Sequence, residues 1–118
     1  MNDKQRVTEF LNAQTHMVVT VVLPNGQPWA VPVRMQERDG RTFAWDSHMQ
    51  TEHSKAIADK PEVNLLCYDN AMDNQVGVYM QAYVTNVVPK EHGMARYYAE
   101  VSRVWLNDET YVKREVEL

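Results

Sequence analysis

The sequence predicts a mainly β (α+β) domain, a six-stranded antiparallel barrel that is closed or partly closed and carries short flanking helices. The run at residues 17–23 is apolar and β-branched, and a Pro-Asn-Gly segment then supplies the chemistry of a tight hairpin turn. Residues 75–88 place alternate apolar side chains on one face, as a strand does. A chain of 118 residues suits one hydrophobic core, so residues 1–118 are predicted to form a single domain.

The first half of the chain predicts one helix and three strands. Asn2 or Asp3 caps the helix, whose apolar residues recur at spacings of three and four. These residues are Val7, Phe10 and Leu11. The strand at 17–23 returns as a second strand over about 27–36, and a third strand follows at 41–46. Consecutive hairpins of this kind favour antiparallel pairing.

The second half predicts two further helices and three further strands. A short helix spans 51–59, and strands follow at 63–68 and 75–88. An amphipathic helix is predicted over 94–105, because five larger residues recur at helical spacing. They are Met94, Tyr97, Tyr98, Val101 and Trp105. Weak alternation at 110–116 predicts the sixth strand.

Charge and composition exclude several classes of protein. Sixteen Asp and Glu against twelve Lys and Arg give a formal net charge of −4, so we expect no binding to nucleic acid. The amino terminus has no apolar signal core and no apolar run reaches membrane-spanning length, so a cytoplasmic protein without membrane contact is expected. The lone Cys67 lies among strand residues and is expected to be a buried, unreactive thiol.

The scattered candidate side chains identify no catalytic residue. The four histidines do not share a helix face, since His48 and His53 are five residues apart, so no metal site is predicted. The serines lack the context of a nucleophile elbow, and serine hydrolase chemistry is not indicated. Aromatic residues such as Trp29 and Trp45 suit a planar ligand, but aromatics in strands more often form the core.

Residues 46–55, with the sequence Asp-Ser-His-Met-Gln-Thr-Glu-His-Ser-Lys, predict a phosphate-binding site. They bring hydroxyls, two imidazoles and an ammonium group to the start of the helix predicted at 51–59. Free backbone N–H groups and the helix dipole favour an anion at such a position. The alternative is a polar loop that Thr51 caps, with Lys55 simply solvated.

The order and residues of these elements resemble the pyridoxamine 5′-phosphate oxidase-like family of FMN-binding split barrels. The resemblance runs over about residues 8–88. It rests on the segments VVTVVLPNGQPWAVPVRM, GRTFAWDS, TEHSKAIADKPEVNLLCYD and QVGVYMQAYV. It implies a six-stranded split β-barrel, a homodimer and FMN held in the groove between the two chains.

The resemblance also implies which residues hold the cofactor. The stretch Val31, Pro32, Val33 and Arg34 matches a strand that runs along the flavin and ends in a basic phosphate ligand, here Arg34. The next strand of the family carries an aromatic-threonine pair. Trp45 and Asp46 stand at that pair, with Asp46 or its neighbour Ser47 in place of the hydroxyl.

The phosphate loop of the family matches less closely. Thr51 stands at a serine of that loop, whereas Glu52 and His53 stand where the family has an Arg-Lys pair. Lys55 is expected to replace the lost cation, so Arg34, His53 and Lys55 would act on the phosphate with Ser47 and Thr51 as neutral donors. Gln75 matches a glutamine that contacts the flavin ring.

Two functions follow as alternatives. The first is an FMN-dependent oxidoreductase acting on a small molecule, and the second is a non-catalytic binding protein with weak affinity for flavin, a deazaflavin or haem. The vitamin B6 reaction itself is not expected, because the family's carboxyl-terminal Arg-x-His-x-Arg segment is missing and Trp105 and Arg114 do not stand in such a motif.

Overall fold

The computed structural model describes residues 1–69 and 75–118, and these form one antiparallel sheet with two helices packed against it. The helices are α1 (Asp3–Asn12) and α2 (Glu52–Asp59). The strands are β1 (His16–Val22), β2 (Pro28–Arg34), β3 (Glu37–Asp39), β4 (Thr42–His48), β5 (Glu62–Tyr68), β6 (Gly77–Pro89), β7 (Met94–Asn107) and β8 (Arg114–Val116). The mainly β prediction is confirmed, but the described residues form eight strands where six were predicted.

The strand order is β2-β1-β5-β6-β7-β4-β3, with β8 paired to β7. The neighbours β2 and β3 therefore lie at opposite ends of the sheet. Between them, Met35 N–H donates to the Thr15 carbonyl at 2.9 Å and Gln36 N–H donates to the Ala44 carbonyl at 2.8 Å. The chain thus crosses from one end of the sheet to the other without a β2–β4 ladder in the described residues, which leaves the barrel split.

The core forms where the inner faces of the strands meet the two helices. Alternate residues of β1 are buried, because successive side chains of a strand point to opposite faces. In β4, Phe43, Ala44 and Trp45 are all buried, and so is Ser47. The largest fully buried side chains include Trp45, Phe43, Leu11, Met17, Leu65, Met80 and Leu106.

The two helices begin at the predicted caps. Asn2 Oδ1 accepts a hydrogen bond from Gln5 N–H at 2.8 Å, and Gln5 Oε1 accepts one from Asn2 N–H at 3.0 Å, which forms a capping box for α1. Thr51 is the amino-terminal cap of α2. Neither helix, nor any other in the described ranges, is long and apolar enough to cross a bilayer.

The predicted amphipathic helix over 94–105 is wrong, because these residues belong to strand β7. Ser102 is an extra residue in the pairing with β6, since Arg103 faces Gln81 and Val101 faces Ala82. This bulge moves the buried positions beyond it by one residue. The helical spacing arose because large side chains lie on both faces of the strand: Tyr97 and Val101 are buried, whereas Met94, Tyr98 and Trp105 are half-buried. Inward positions are Ala95, Tyr97, Ala99 and Val101, followed by Val104 and Leu106.

An ionic cluster joins α1 to the carboxyl-terminal segment. The Asp108 carboxylate accepts hydrogen bonds from Arg6 at 2.7 Å and from Arg114 at 2.8 Å, although its residue is only 1% exposed. Arg114 also pairs with Asp3 at 2.9 Å. Hydrogen bonds from Arg114 and Thr110 hold the pKa of Asp108 far below its usual range.

Candidate functional site

Strand β4 separates two side chains that are adjacent in sequence. Ser47 lies on the inner face with Trp45 and is 8% exposed, whereas Asp46 lies on the outer face. Only Ser47 therefore faces the start of α2. Asp46 and Ser47 were the two candidates for the position where the family has a hydroxyl, and the structure places them in different surroundings.

Four polar side chains meet at the start of α2, and we name them the α2 cluster: Ser47, Thr51, His53 and Ser54. His53 Nε2 is hydrogen-bonded to Ser47 Oγ at 2.9 Å, and Thr51 Oγ1 lies 3.5 Å from the same nitrogen. The hydroxyls of Thr51 and Ser54 are 2.8 Å apart, and Thr51 Oγ1 accepts the Ser54 N–H at 3.3 Å. The arrangement is compact, mostly buried and carries no formal positive charge.

His53 is uncharged at neutral pH in this position. It is 8% exposed, and burial lowers the pKa of its imidazole below the ordinary value of 6.5. Glu52, the other residue at the family's Arg-Lys positions, is exposed on α2. Neither residue therefore supplies a positive charge at the start of the helix.

The loop that precedes α2 is fixed by its own hydrogen bonds. The His48 carbonyl accepts from Thr51 N–H at 3.1 Å and from Thr51 Oγ1 at 3.0 Å. His48 Nδ1 accepts from Gln50 N–H at 3.1 Å, and Met49 N–H donates to the Gly93 carbonyl at 3.0 Å. His48, one of the two imidazoles of the predicted phosphate-binding segment, thus orders the loop, and Gly93 was not among the predicted site residues.

Asp46 belongs to an ionic network that sequence reasoning missed. Its carboxylate accepts from Arg96 Nε at 2.8 Å and from Lys90 Nζ at 3.2 Å, and Arg96 also binds Glu37 at 2.7 Å. The bond from Arg96 lowers the pKa of Asp46. Period-two alternation along 42–48 was the signal that could have assigned Asp46 to the outer face.

The predicted cations lie apart from the buried α2 cluster. Arg34 ends β2, opposite His16 of β1, and is exposed. Lys55 is exposed on α2, where it lines a groove of about 540 Å³ between α2 and β6. Neither forms an ion pair within the described ranges.

The remaining predicted ligands lie on β2 and before β6. In β2, Val33 is buried, Val31 is half-buried and Pro32 is exposed, so only part of this strand is accessible to a ligand. Gln75 is exposed just before β6 and follows residues 70–74, which lie outside the described ranges.

Trp45 and Cys67 are core residues. Trp45 is fully buried and its ring stacks on Tyr97 with centroids 5.8 Å apart. Its indole Nε1 has no hydrogen-bond partner among the described residues. Burial raises the pKa of the Cys67 thiol to about 12, which keeps the thiol protonated. In residues 1–69 and 75–118, no three His, Cys, Asp or Glu side chains lie where they could hold a metal ion.

Solved structures share this fold at low sequence identity. A protein of Clostridium acetobutylicum related to general stress protein 26 has a TM-score of 0.84 at 9% identity, covering 99% of this chain and 97% of that one. A haem-binding protein of Mycobacterium smegmatis has a TM-score of 0.82 at 10% identity, covering 99% of this chain and 58% of that one. An F420 reductase has a TM-score of 0.72 at 13% identity, covering 81% and 93%.

The sequence comparisons identify one family. No curated protein matches the sequence significantly. The sequence profile of the family described as "Pyridoxamine 5′-phosphate oxidase" matches residues 3–117, nearly the whole chain. With a split barrel shared with proteins of that family, this match shows that the chain belongs to the pyridoxamine 5′-phosphate oxidase family.

Proposed function

We propose that the chain is a small homodimeric flavoprotein that binds FMN and acts as an oxidoreductase on a small molecule. The observation that carries the proposal is the α2 cluster. It lies at the amino terminus of the helix where the family resemblance expects the phosphate, and its internal hydrogen bonds fix the start of that helix, whose free backbone N–H groups can donate to phosphate oxygens.

The residues present fit a phosphate group by their donors. The N–H groups of Glu52 and His53 belong to the first turn of α2 and point out of the helix, so they can donate to an anion. Arg34 and Lys55 are exposed cations without an ion pair in the described ranges, so both are free to reach a phosphate. We call these donors, with Thr51, the phosphate cradle.

Other residues would orient the flavin ring. Main-chain amides of β2 between Val31 and Val33 and the side chain of Gln75 are the candidates that the family resemblance indicates. When bound, FMN supplies hydride or single-electron chemistry. The protein's own part is to bind, to orient and to set the charge around the ring, and no side chain is assigned as a general base.

The outer face of the sheet is our proposed dimer surface. The ladders align Pro32, Val18, Leu66, Tyr79 and Trp105 in one row across β2, β1, β5, β6 and β7. All five retain accessible surface in the single chain. A row of apolar side chains on an open face is typical of a protein interface. A second copy packed there would bury about 2,000 Å² or more, as permanent dimers do.

Light scattering at micromolar concentration tests this surface. The wild-type chain is expected to be a dimer, and Leu66→Glu is expected to be a monomer because it buries an unpaired charge. Val87→Glu is the matched control, since Val87 is exposed on β6 outside the row. A monomeric wild type contradicts the dimer, and a dimeric Leu66→Glu variant contradicts this choice of surface.

The alternative function has an observation in its favour. The positions of the family's Arg-Lys pair hold an exposed Glu52 and a buried, uncharged His53, which leaves the phosphate cradle with fewer cations. A non-catalytic protein that binds flavin weakly, or a deazaflavin or haem instead, has less need of them. An F420 reductase and a haem-binding protein share the fold, which supports considering these ligands.

A visible absorption spectrum of the freshly purified protein separates the two candidates. A flavin spectrum supports the first, and a haem spectrum supports the second. For colourless protein, titration with FMN and with riboflavin is the next measurement. Tight binding of FMN supports the first candidate, and binding of neither supports the second.

The phosphate contacts are tested by two variants and a control. Arg34→Ala and Lys55→Ala each remove a charge-assisted contact and should weaken FMN binding roughly ten- to a hundredfold, with little change for riboflavin, which has no phosphate. Lys4→Ala removes an exposed cation of α1 and should change neither affinity. Equal losses for FMN and riboflavin would contradict the phosphate cradle.

A further inference from the structure

The turn between β6 and β7 lies against the loop that leads into α2. Gly93 ends this turn with φ of +76°, and His92 before it has φ of +61°. A Cβ atom at position 93 would lie 2.5 Å from Nε2 of His48 and 3.0 Å from its Cε1. Position 93 favours glycine because of its left-handed backbone, and a side chain there would have to displace the exposed His48 imidazole.

The same imidazole orders the loop at residues 48–51. Its Nδ1 accepts the Gln50 N–H at 3.1 Å, while its other side rests on Gly93. Met49 N–H donates to the Gly93 carbonyl at 3.0 Å. The His48 carbonyl accepts both the N–H and the hydroxyl of Thr51, the cap of α2. Displacement of the imidazole would break its hydrogen bond with the N–H of Gln50, the residue directly before Thr51.

We propose that Gly93 and His48 are positioning residues that set the place of Thr51 and of the first turn of α2. The ligand part of this inference rests on the proposed function, because those groups form the phosphate cradle. The conformational part concerns the loop alone. If the cradle binds phosphate as proposed, the β6–β7 turn affects its affinity for phosphate, although this turn is distant from the cradle in sequence.

Two glycine variants separate this contact from backbone strain. Gly93→Ala introduces a Cβ against the imidazole. Gly26→Ala is the matched control, because Gly26 has φ of +84° and a Cβ there would meet nothing within 4 Å. Both variants carry the cost of a left-handed alanine, and only the first displaces His48.

Flavin fluorescence titration with FMN and with riboflavin is the first readout. Gly93→Ala is expected to weaken FMN about tenfold or more while riboflavin changes little, and Gly26→Ala should leave both affinities near wild type. Equal losses of FMN affinity in the two variants would overturn the proposal, because strain alone would then explain them.

A second substitution provides a rescue. In His48→Asn, the shorter side chain can still accept the N–H two residues on, as Asn25 accepts Gln27 N–H at 3.0 Å in this chain. It no longer reaches the Cβ at position 93. The double variant Gly93→Ala/His48→Asn should therefore bind FMN nearly as well as His48→Asn alone. Failure of this rescue would overturn the contact.

Amide spectra make the test independent of any ligand. In ¹⁵N–¹H correlation spectra, Gly93→Ala should shift the amides of Gln50, Thr51 and Ser54, Gly26→Ala should not, and the double variant should reverse the shifts. A wild type that binds no FMN contradicts the proposed function, whereas unshifted amides in Gly93→Ala overturn the positioning contact. If Gly93→Ala does not fold, Gly93→Asn with Gly26→Asn replaces the pair, because asparagine tolerates this backbone conformation.

Discussion

The two faces of strand β4 use neighbouring residues in different ways. On the inner face, Ser47 binds the buried His53, and the α2 cluster to which both belong has no ion pair in the described ranges. On the outer face, Asp46 binds Arg96 and Lys90, and Arg96 also binds Glu37. The formal charges of this region are thus paired on the face that points away from α2.

This difference shows that two adjacent residues of a strand, which point to opposite faces, can have entirely different chemical surroundings. A carboxylate in place of Ser47 would be buried beside an uncharged imidazole, and a serine in place of Asp46 would leave Arg96 and Lys90 without their shared partner. The proposed phosphate cradle therefore consists of the Thr51 hydroxyl, backbone N–H groups and the exposed side chains of Arg34 and Lys55. Four predictions test the contrast between the faces.

The largest effect is expected from the inner face. Trp45→Ala removes a fully buried indole and should lower the free energy of unfolding by about 3–5 kcal/mol in urea titrations. Trp29→Ala is the control, because Trp29 is 44% exposed and should cost far less. Similar losses in the two variants would contradict the assignment of Trp45 to the core.

Ser47→Ala tests the hydrogen bond of the inner face. It leaves His53 Nε2 with only the 3.5 Å approach of Thr51 Oγ1. The free energy of unfolding should fall by about 1–3 kcal/mol, the cost of an unsatisfied buried group. Ser102→Ala removes a hydroxyl that binds the Gln81 carbonyl at the surface and should change stability by less than about 0.5 kcal/mol. No difference between the variants would count against a buried Ser47–His53 bond.

Asp46→Asn tests the outer face. At neutral pH and low salt it should lower the free energy of unfolding by about 1 kcal/mol, because partly exposed ion pairs are weak and screened. The pKa of Asp46 is lowered from 3.8 in the fold, chiefly by Arg96, so its contribution is present above pH 3.8 and is lost as the pH falls through the folded-state value.

The difference between wild type and Asp46→Asn should therefore shrink in acid and in high salt. Glu9→Gln, which removes an exposed carboxylate of α1, serves as the control and should show little effect at any pH. A loss for Asp46→Asn that is unchanged by salt and acid would point to altered packing and would break the comparison.

The smallest effect is expected from the ionisation of His53. In the unfolded chain the imidazole takes up a proton near pH 6.5, whereas in the fold it does so only at lower pH. Between these two pKa values the unfolded state binds more protons than the folded state. The contribution of His53 to the free energy of unfolding is therefore fully present above pH 6.5 and declines as the pH falls towards the folded-state pKa.

Urea titrations from pH 5 to 8 measure this slope, and His53→Gln should remove part of it. His92→Gln changes an exposed histidine and is the control. A slope that survives in His53→Gln at full size would show that His53 does not carry it.

Local sequence signals predicted much of the fold. The caps of α1 and α2, the hairpin of β1 and β2, and β5 all depend on neighbouring residues, which a sequence shows directly. Strand β7 was missed because large side chains lie on both of its faces and imitate a helical spacing, whereas its pairing with β6 and β4 depends on residues distant in sequence. The extra strands β3 and β8 are each three residues long, too short for a clear alternation.

The candidate site was predicted in part. The segment at 46–55 pointed to the start of α2, and Ser47, Thr51 and His53 do meet there. Burial of His53 and the pairing of Asp46 with Arg96 depend on tertiary structure, as does the packing of His48 on Gly93. Residue type alone shows which groups are able to carry charge, and it does not show which of them are already paired.

The ionic cluster around Asp108 also bears on folding kinetics. Arg114 and Asp3 are 111 positions apart, so their contact closes a loop that includes nearly the whole described chain. Such contacts are entropically unfavourable until the intervening sheet has formed, and we expect this one to be absent from the folding transition state. Breaking it should therefore speed unfolding while leaving the folding rate almost unchanged, which makes α1 and β8 a determinant of the lifetime of the folded state.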